Sequence, residues 1–160
     1  MMTNNVIRLL SAHKIPFEVF ELPQEKIGAL EAAQLLNIPA HLMFKTIVVT
    51  RDKGKPILAV IPGNNVVDLK AVASFMGEKK VHLPTQREAE KLTGLLAGGI
   101  SPLALLNKGF TVLLDEIAKQ HEHIHISGGQ RGLNIRLPVN AFIELTRARL
   151  AKISSPQVMK

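Results

Sequence analysis

The 160-residue chain carries 20 Lys and Arg against 13 Asp and Glu, a formal charge of +7, with 46% apolar residues and no Cys, Trp or Tyr. A chain of this length suits one domain that buries about two-thirds of its unfolded surface, and the apolar fraction is that of a packed protein, not a disordered one. The missing Cys excludes disulfides, thiolate catalysis and cysteine-ligated metals. The positive balance favours a polyanionic partner, and with so few aromatic rings to stack bases, a nucleic acid would be held mainly through phosphate and sugar. No apolar run reaches the length of a membrane span, so the expectation is a soluble cytoplasmic protein with no membrane partner.

Thr3 or Asn4 can cap a first helix to about His13, with Val6, Ile7, Leu9 and Leu10 on its apolar face. Ile15-Pro16 breaks it, and Phe17 to Leu22 alternates as a half-buried strand ended by Pro23. A helical pattern runs from Ile27 to Leu36, and a short turn of helix is expected at Ala40 to Met43. Phe44 to Thr50 and Pro56 to Ile61, joined by the charged loop Arg51 to Lys55, read as a hairpin. Pro62-Gly63-Asn64-Asn65 is turn chemistry. Asp68 caps a helix to Gly77, Lys79 to Leu83 is a short strand, and Thr85 with Glu88 forms a capping box opening a helix to about Leu92. A glycine-rich loop follows, holding Gly94, Gly98, Gly99, Ser101 and Pro102. Gly109 to Leu114, Glu122 to Ser127 and Leu133 to Leu137 are further strands; Pro138 opens a last helix expected to reach Leu150. About seven strands among five helices, not in strict alternation, predict an α+β domain over residues 1–153, its strands forming one mixed, partly closed, barrel-like sheet with helices outside, and a loose tail over 154–160.

Three glycines within Gly128 to Gly132, framed by strands, require a tight turn or a close approach. The segment reads either as a hairpin whose Arg131 is solvated, or as a loop whose N–H groups and guanidinium meet an anion. His121, His123 and His125 share one face of an extended strand, but same-face neighbours stand roughly 6.6 Å apart, so one ion cannot take all three; that face is expected to be solvated or to face RNA. Two of these histidines with a distant carboxylate could hold an ion, but no metal is expected; the glycine spacing matches neither a dinucleotide fold nor a phosphate loop, so no nucleotide cofactor is expected either. Lys45 interrupts an apolar stretch. It either snorkels to water or is held in a cleft to meet a carbonyl or phosphate.

Lys45-Thr46, Gly98-Gly99-Ile100-Ser101-Pro102 and Ser127-Gly128-Gly129-Gln130-Arg131-Gly132-Leu133, in this order and spacing, resemble the YbaK/prolyl-tRNA-synthetase-associated editing domains, above all the free-standing bacterial Cys-tRNA(Pro) deacylases. Val67-Asp68-Leu69-Lys70 and Gly77 to Val81 are also similar, and the likeness runs from about Phe17 to the last helix. The resemblance implies a cleft for the aminoacylated 3′ end of tRNA and a trans-acting deacylase, with prolyl-tRNA synthetase as a candidate partner and no cofactor. It assigns Lys45 to the aminoacyl-ester region and the catalytic role. It places Gly98, Gly99, Ile100, Ser101 and Pro102 near the terminal adenosine, and Ser127, Gly128, Gly129, Arg131, Gly132 and Asn134 in the second substrate-binding loop. For a cysteinyl substrate it implies that the substrate's own thiol assists as nucleophile. Two residues depart from the pattern. Close relatives carry Asp where this chain has Asn134, and a Tyr near the end of the first strand, where Phe20-Glu21-Leu22-Pro23 stands. A catalytically inactive relative that binds tRNA or a small ligand is the alternative these departures raise.

Overall fold

The computed structural model describes residues 4–158. Helix α1 (Asn5–Ala12) starts at Asn4, whose side chain accepts the Ile7 N–H at 2.9 Å, satisfying one of the donors that every helix start leaves open. Thr3, the other expected cap, lies outside the described residues. Strand β1 (Glu18–Glu21) leads to α2 (Ala29–Leu36), which a left-handed Asn37 stops. A 3₁₀ turn over Ala40–Leu42 delivers the chain into β2 (Phe44–Arg51). β2 pairs antiparallel with β3 (Ile57–Pro62), from Phe44 opposite Pro62 to Val49 opposite Ile57, so the expected hairpin forms.

Next come β4 (Asn65–Val67), α3 (Leu69–Met76) capped by Asp68, and β5 (Val81–His82). Helix α4 (Gln86–Thr93) opens on the expected capping box: Thr85 accepts from the Glu88 N–H, and the Glu88 carboxylate accepts from the Thr85 N–H. The remaining elements are β6 (Thr111–Asp115), β7 (His123–Ser127), β8 (Leu133–Pro138), α5 (Val139–Thr146), β9 (Arg149–Ala151) and β10 (Ser154–Pro156).

The main sheet has the order β5-β2-β3-β6-β9, with β6 parallel to both of its neighbours. A second, antiparallel sheet has the order β1-β8-β7. A bridge between Met43 and His125 ties β7 to the start of β2, so the two sheets curl toward each other without closing into a barrel. The α+β class and the mixed, partly closed sheet are as expected.

Strand β3 is buried along its whole length, which is why it reads as an unbroken apolar run. Its Leu58 and Val60 join Ile124, Ile126, Ile135 and Leu137 of the second sheet, together with Leu10 of α1 and Phe142 of α5. Its Ile57, Ala59 and Ile61 face the other way, onto Val72 and Ala73 of α3. Each large apolar side chain buried here contributes about 1.5–3 kcal/mol, so β3 is the spine of the domain.

Three segments differ from the expectation. The last helix ends at Thr146, not Leu150, because Arg147 turns left-handed at φ 56°, and Arg149–Ala151 continues as an edge strand beside β6. Asn65–Val67, of which only Asn65 was expected as turn and none as strand, and Ser154–Pro156, expected as loose tail, pair antiparallel as β4 and β10. Ser154 is buried and bridges Asn65 to the Asp115 carboxylate, so the fold continues past residue 153. Residues this far apart in the chain leave no local periodicity to read.

Candidate active site

A cleft of about 240 Å³ opens where α2, the start of β2, the loop before Ser101 and the β7–β8 hairpin converge. Lys45 is the second residue of β2, half-buried in its wall. Its ammonium donates to the Gly63 carbonyl at 3.1 Å, and burial pushes its pKa below the ordinary lysine value. An ammonium has three donors, so two more remain for a bound group. Of the two sequence readings of Lys45, the cleft lysine is the one that forms.

Gly63 makes this possible. Its N–H donates to the Met43 carbonyl at 2.7 Å, and a Cβ there would sit 2.6 Å from that same oxygen. Only a glycine lets the end of β3 come this close to the entrance of β2.

Gly98, Ile100, Ser127, Gly132 and Asn134 line the same cleft, so three segments distant in sequence meet around Lys45. The other expected site residues stand behind the wall. A Cβ on Gly99 would fall 2.7 Å from the Gln130 backbone carbon, so the two glycine-rich loops pack main chain against main chain. Ser101 and Pro102 are buried, and the Ser101 hydroxyl accepts from the Leu103 N–H. Gly128 turns its carbonyl to Asn4 and Gly129 its N–H to Ser127. Arg131 does not present a free guanidinium. Its Nε donates to the Ala97 carbonyl at 2.7 Å, and it lies 3.9 Å from Glu90, whose carboxylate also takes the Ala97 N–H. Arg131 and Glu90 thus clamp the first loop between α4 and the hairpin. The hairpin reading and the close-approach reading of this segment are both realised, and the anion reading of Arg131 is replaced by a brace.

The histidines part company. His121 precedes β7 and packs its ring 5.6 Å from that of His41, beside a wider, open groove of about 980 Å³ on the far side of the Pro62–Asn64 corner. His125, expected on a solvated or RNA-facing strand face, is only 6% exposed. The face of β7 opposite Ile124 and Ile126 is covered by Phe20 and Asn134, so period two alone does not tell which face meets water. Among the described residues no three potential metal-binding side chains converge.

Burial lowers the His125 pKa, outweighing the hydrogen bond to the Asn134 oxygen and the charge of Glu18, with Arg136 and His123 adding to the lowering. The unfolded chain therefore takes up this proton first as pH falls through about 6.5, and stability drains on acidification. The expected result is a Tm that falls between about pH 7 and about pH 5.5, with a shallower slope in His125→Leu, read by thermal melts at each pH.

Residues the sequence reading left without a role also reach the cleft. Met43 lines it and receives the Asn134 amide on its sulfur at 3.2 Å. Thr46 lines it with a buried hydroxyl that has no partner among the described residues. Thr46 was visible as part of the Lys45-Thr46 motif, but nothing local marks its hydroxyl as unpaired.

Residues 25–145 match the model of the aminoacyl-tRNA editing domain family, and the chain belongs to that family. It is 36% identical over 155 residues, 96% of this chain and 94% of the relative, to a protein of Enterococcus faecalis named "Putative Cys-tRNA(Pro)/Cys-tRNA(Cys) deacylase EbsC". Among solved structures, one described as a "putative trans-editing enzyme for prolyl tRNA synthetase" is 25% identical with a TM-score of 0.79, over 97% of this chain and 99% of that one. The hypothetical protein APE2540 shares the fold at a TM-score of 0.86 and 24% identity, covering 95% of this chain and 100% of its own.

Proposed function

We propose that the protein is a trans-acting aminoacyl-tRNA deacylase that hydrolyses the ester of a mischarged tRNA in the cytoplasm, with Cys-tRNA(Pro) as substrate and prolyl-tRNA synthetase as a candidate partner. The observation that carries this is the convergence of Lys45, Gly98, Ser127 and Asn134 on one small cleft. An aminoacyl ester is already activated, so its hydrolysis needs placement and stabilisation of the developing oxyanion more than further activation. Lys45, held by Gly63, supplies positive charge at a partly dehydrated wall, where it acts more strongly than in water. The chain has no Cys, so a thiol nucleophile would be that of a cysteinyl substrate, and water serves for other amino acids. A cleft of about 240 Å³ suits a small aminoacyl group.

The deciding experiment is deacylation of Cys-, Ala- and Ser-charged tRNA(Pro) by the purified protein. The expected result is many turnovers per protein molecule, fastest on Cys-tRNA(Pro). Binding of all three without turnover would establish instead the non-catalytic tRNA-binding relative that Asn134 and the missing Tyr suggest.

The charge of +7 carries a second expectation. With each phosphate contact releasing counterions, affinity for tRNA falls at least about tenfold between about 50 and about 200 mM salt. Fluorescence anisotropy with labelled tRNA reads this directly, and a flat salt dependence would refute phosphate-led binding.

A further inference from the structure

In the β1-β8-β7 sheet one face belongs to the core and the other carries an ordered polar row. Asn134 lies opposite Phe20 on one side and Ser127 on the other, and His125 lies opposite Arg136, two residues along. His125 and Asn134 are therefore diagonal neighbours on one face, close enough for their side chains to bond. His125 Nδ1 is 3.1 Å from Asn134 Oδ1, and Asn134 Nδ2 is 3.2 Å from the Met43 sulfur. Both residues are buried, at 6% and 4% exposure, and the Phe20 ring covers the imidazole at 5.1 Å.

The chemistry of these contacts fixes the direction of the amide. A thioether sulfur accepts weakly and donates nothing, so the NH₂ end belongs against Met43 and the oxygen against His125. The oxygen then needs a donor, and the imidazole supplies one only if Nδ1 carries its proton. With one lone pair of its oxygen taken by His125 and one amide hydrogen on Met43, Asn134 has its second N–H left to offer the cleft it lines. A carboxylate in its place would show acceptors alone.

We propose that His125 is a positioning residue: its Nδ1–H locks the Asn134 amide so that Asn134 donates to the ester carbonyl, and to the oxyanion it becomes, in the deacylation proposed above, a role that rests on that reading. Lys45 approaches the same cleft as a second donor. The acceptor atoms of the ester are thereby met by two donors.

The test has a spectroscopic and a kinetic arm. Long-range ¹H–¹⁵N correlation of the His125 ring near neutral pH is expected to show the Nδ1–H tautomer in the parent, and a shift away from it in Asn134→Ala. An Nε2–H ring in the parent overturns the proposal, with or without activity. In single-turnover deacylation, His125→Leu is expected to slow the step about ten- to a hundredfold, with the half-saturating substrate concentration within about twofold of the parent's. His125→Asn, whose amide nitrogen sits where Nδ1 was, is expected to recover most of the rate. On the Asn134→Ala background, His125→Leu is expected to cost nothing further. A His125→Asn variant as slow as His125→Leu, or a His125→Leu effect undiminished on the Asn134→Ala background, refutes the positioning role and leaves only a structural pair. A parent that deacylates no member of the panel sinks the functional reading itself, while the ring tautomer still decides whether His125 orients the amide.

Discussion

Lys45→Ala is expected to lower the deacylation rate at least about a hundredfold while moving the Tm little. The two halves of that expectation have separate causes. In the folded protein the ammonium has lost part of its hydration, which disfavours its charge, and this offsets much of what the bond to Gly63 contributes. Truncation leaves the Gly63 carbonyl without that donor, a loss of about 1 kcal/mol that water entering the cleft can repair. The transition state has no such repair, because water at the vacated place must reorganise as the oxyanion forms. Lys45→Arg is not expected to rescue the rate, since a planar fork cannot reproduce a compact ammonium pointing at one carbonyl. Single-turnover rates on Cys-tRNA(Pro), with melting curves for each variant, decide it. An Ala variant as fast as the parent removes Lys45 from the mechanism.

Gly63→Ala is expected to destabilise the protein by about 3 kcal/mol and to damage activity along with stability. A Cβ at this residue would meet the Met43 carbonyl at 2.6 Å and the Ala29 Cβ at 2.9 Å. The first is backbone and the second a side chain with no rotamer to escape into, so the end of β3 must move away from β2. That motion breaks the Gly63–Met43 hydrogen bond and shifts the carbonyl that holds Lys45. Denaturant melts and the rate at a temperature where the variant is folded separate the two effects. A variant of parental stability and rate would show that the corner is slack and that Lys45 is placed by β2 alone.

These two residues also show what could be read without a structure. Lys45 stood out because a charge interrupts an apolar stretch, and the glycine-rich motifs stood out by composition. Gly63 did not, being one turn-forming residue among Pro62, Asn64 and Asn65. Its function is a distance to Met43, which exists only once β2 and β3 have paired. Arg131 was legible as a charge in a glycine loop, there either to touch RNA or to brace the loop, yet the carbonyl it holds is 34 residues away, so the choice between the two was not.

Local chemistry settled the elements whose causes are local. The Thr85–Glu88 capping box, the Asp68 cap and the wholly apolar β3 each carry their structure within a few residues, and each forms as read. The order and spacing of the Lys45, Gly98 and Ser127 motifs likewise sufficed to place the chain in its family. What only the tertiary structure decided is everything that depends on which surfaces meet. β4 and β10 exist because their partners are each other, and α5 stops early because Arg149 to Ala151 is taken up by the edge of β6. The alternating pattern of β7 is equally compatible with a wet or a buried His125. Phe20 and Asn134 on the adjoining strands close over that face, burying His125 and putting it within reach of the site, because a two-residue period assigns residues to faces while only the side chains gathered on a face by strand pairing decide whether it meets water.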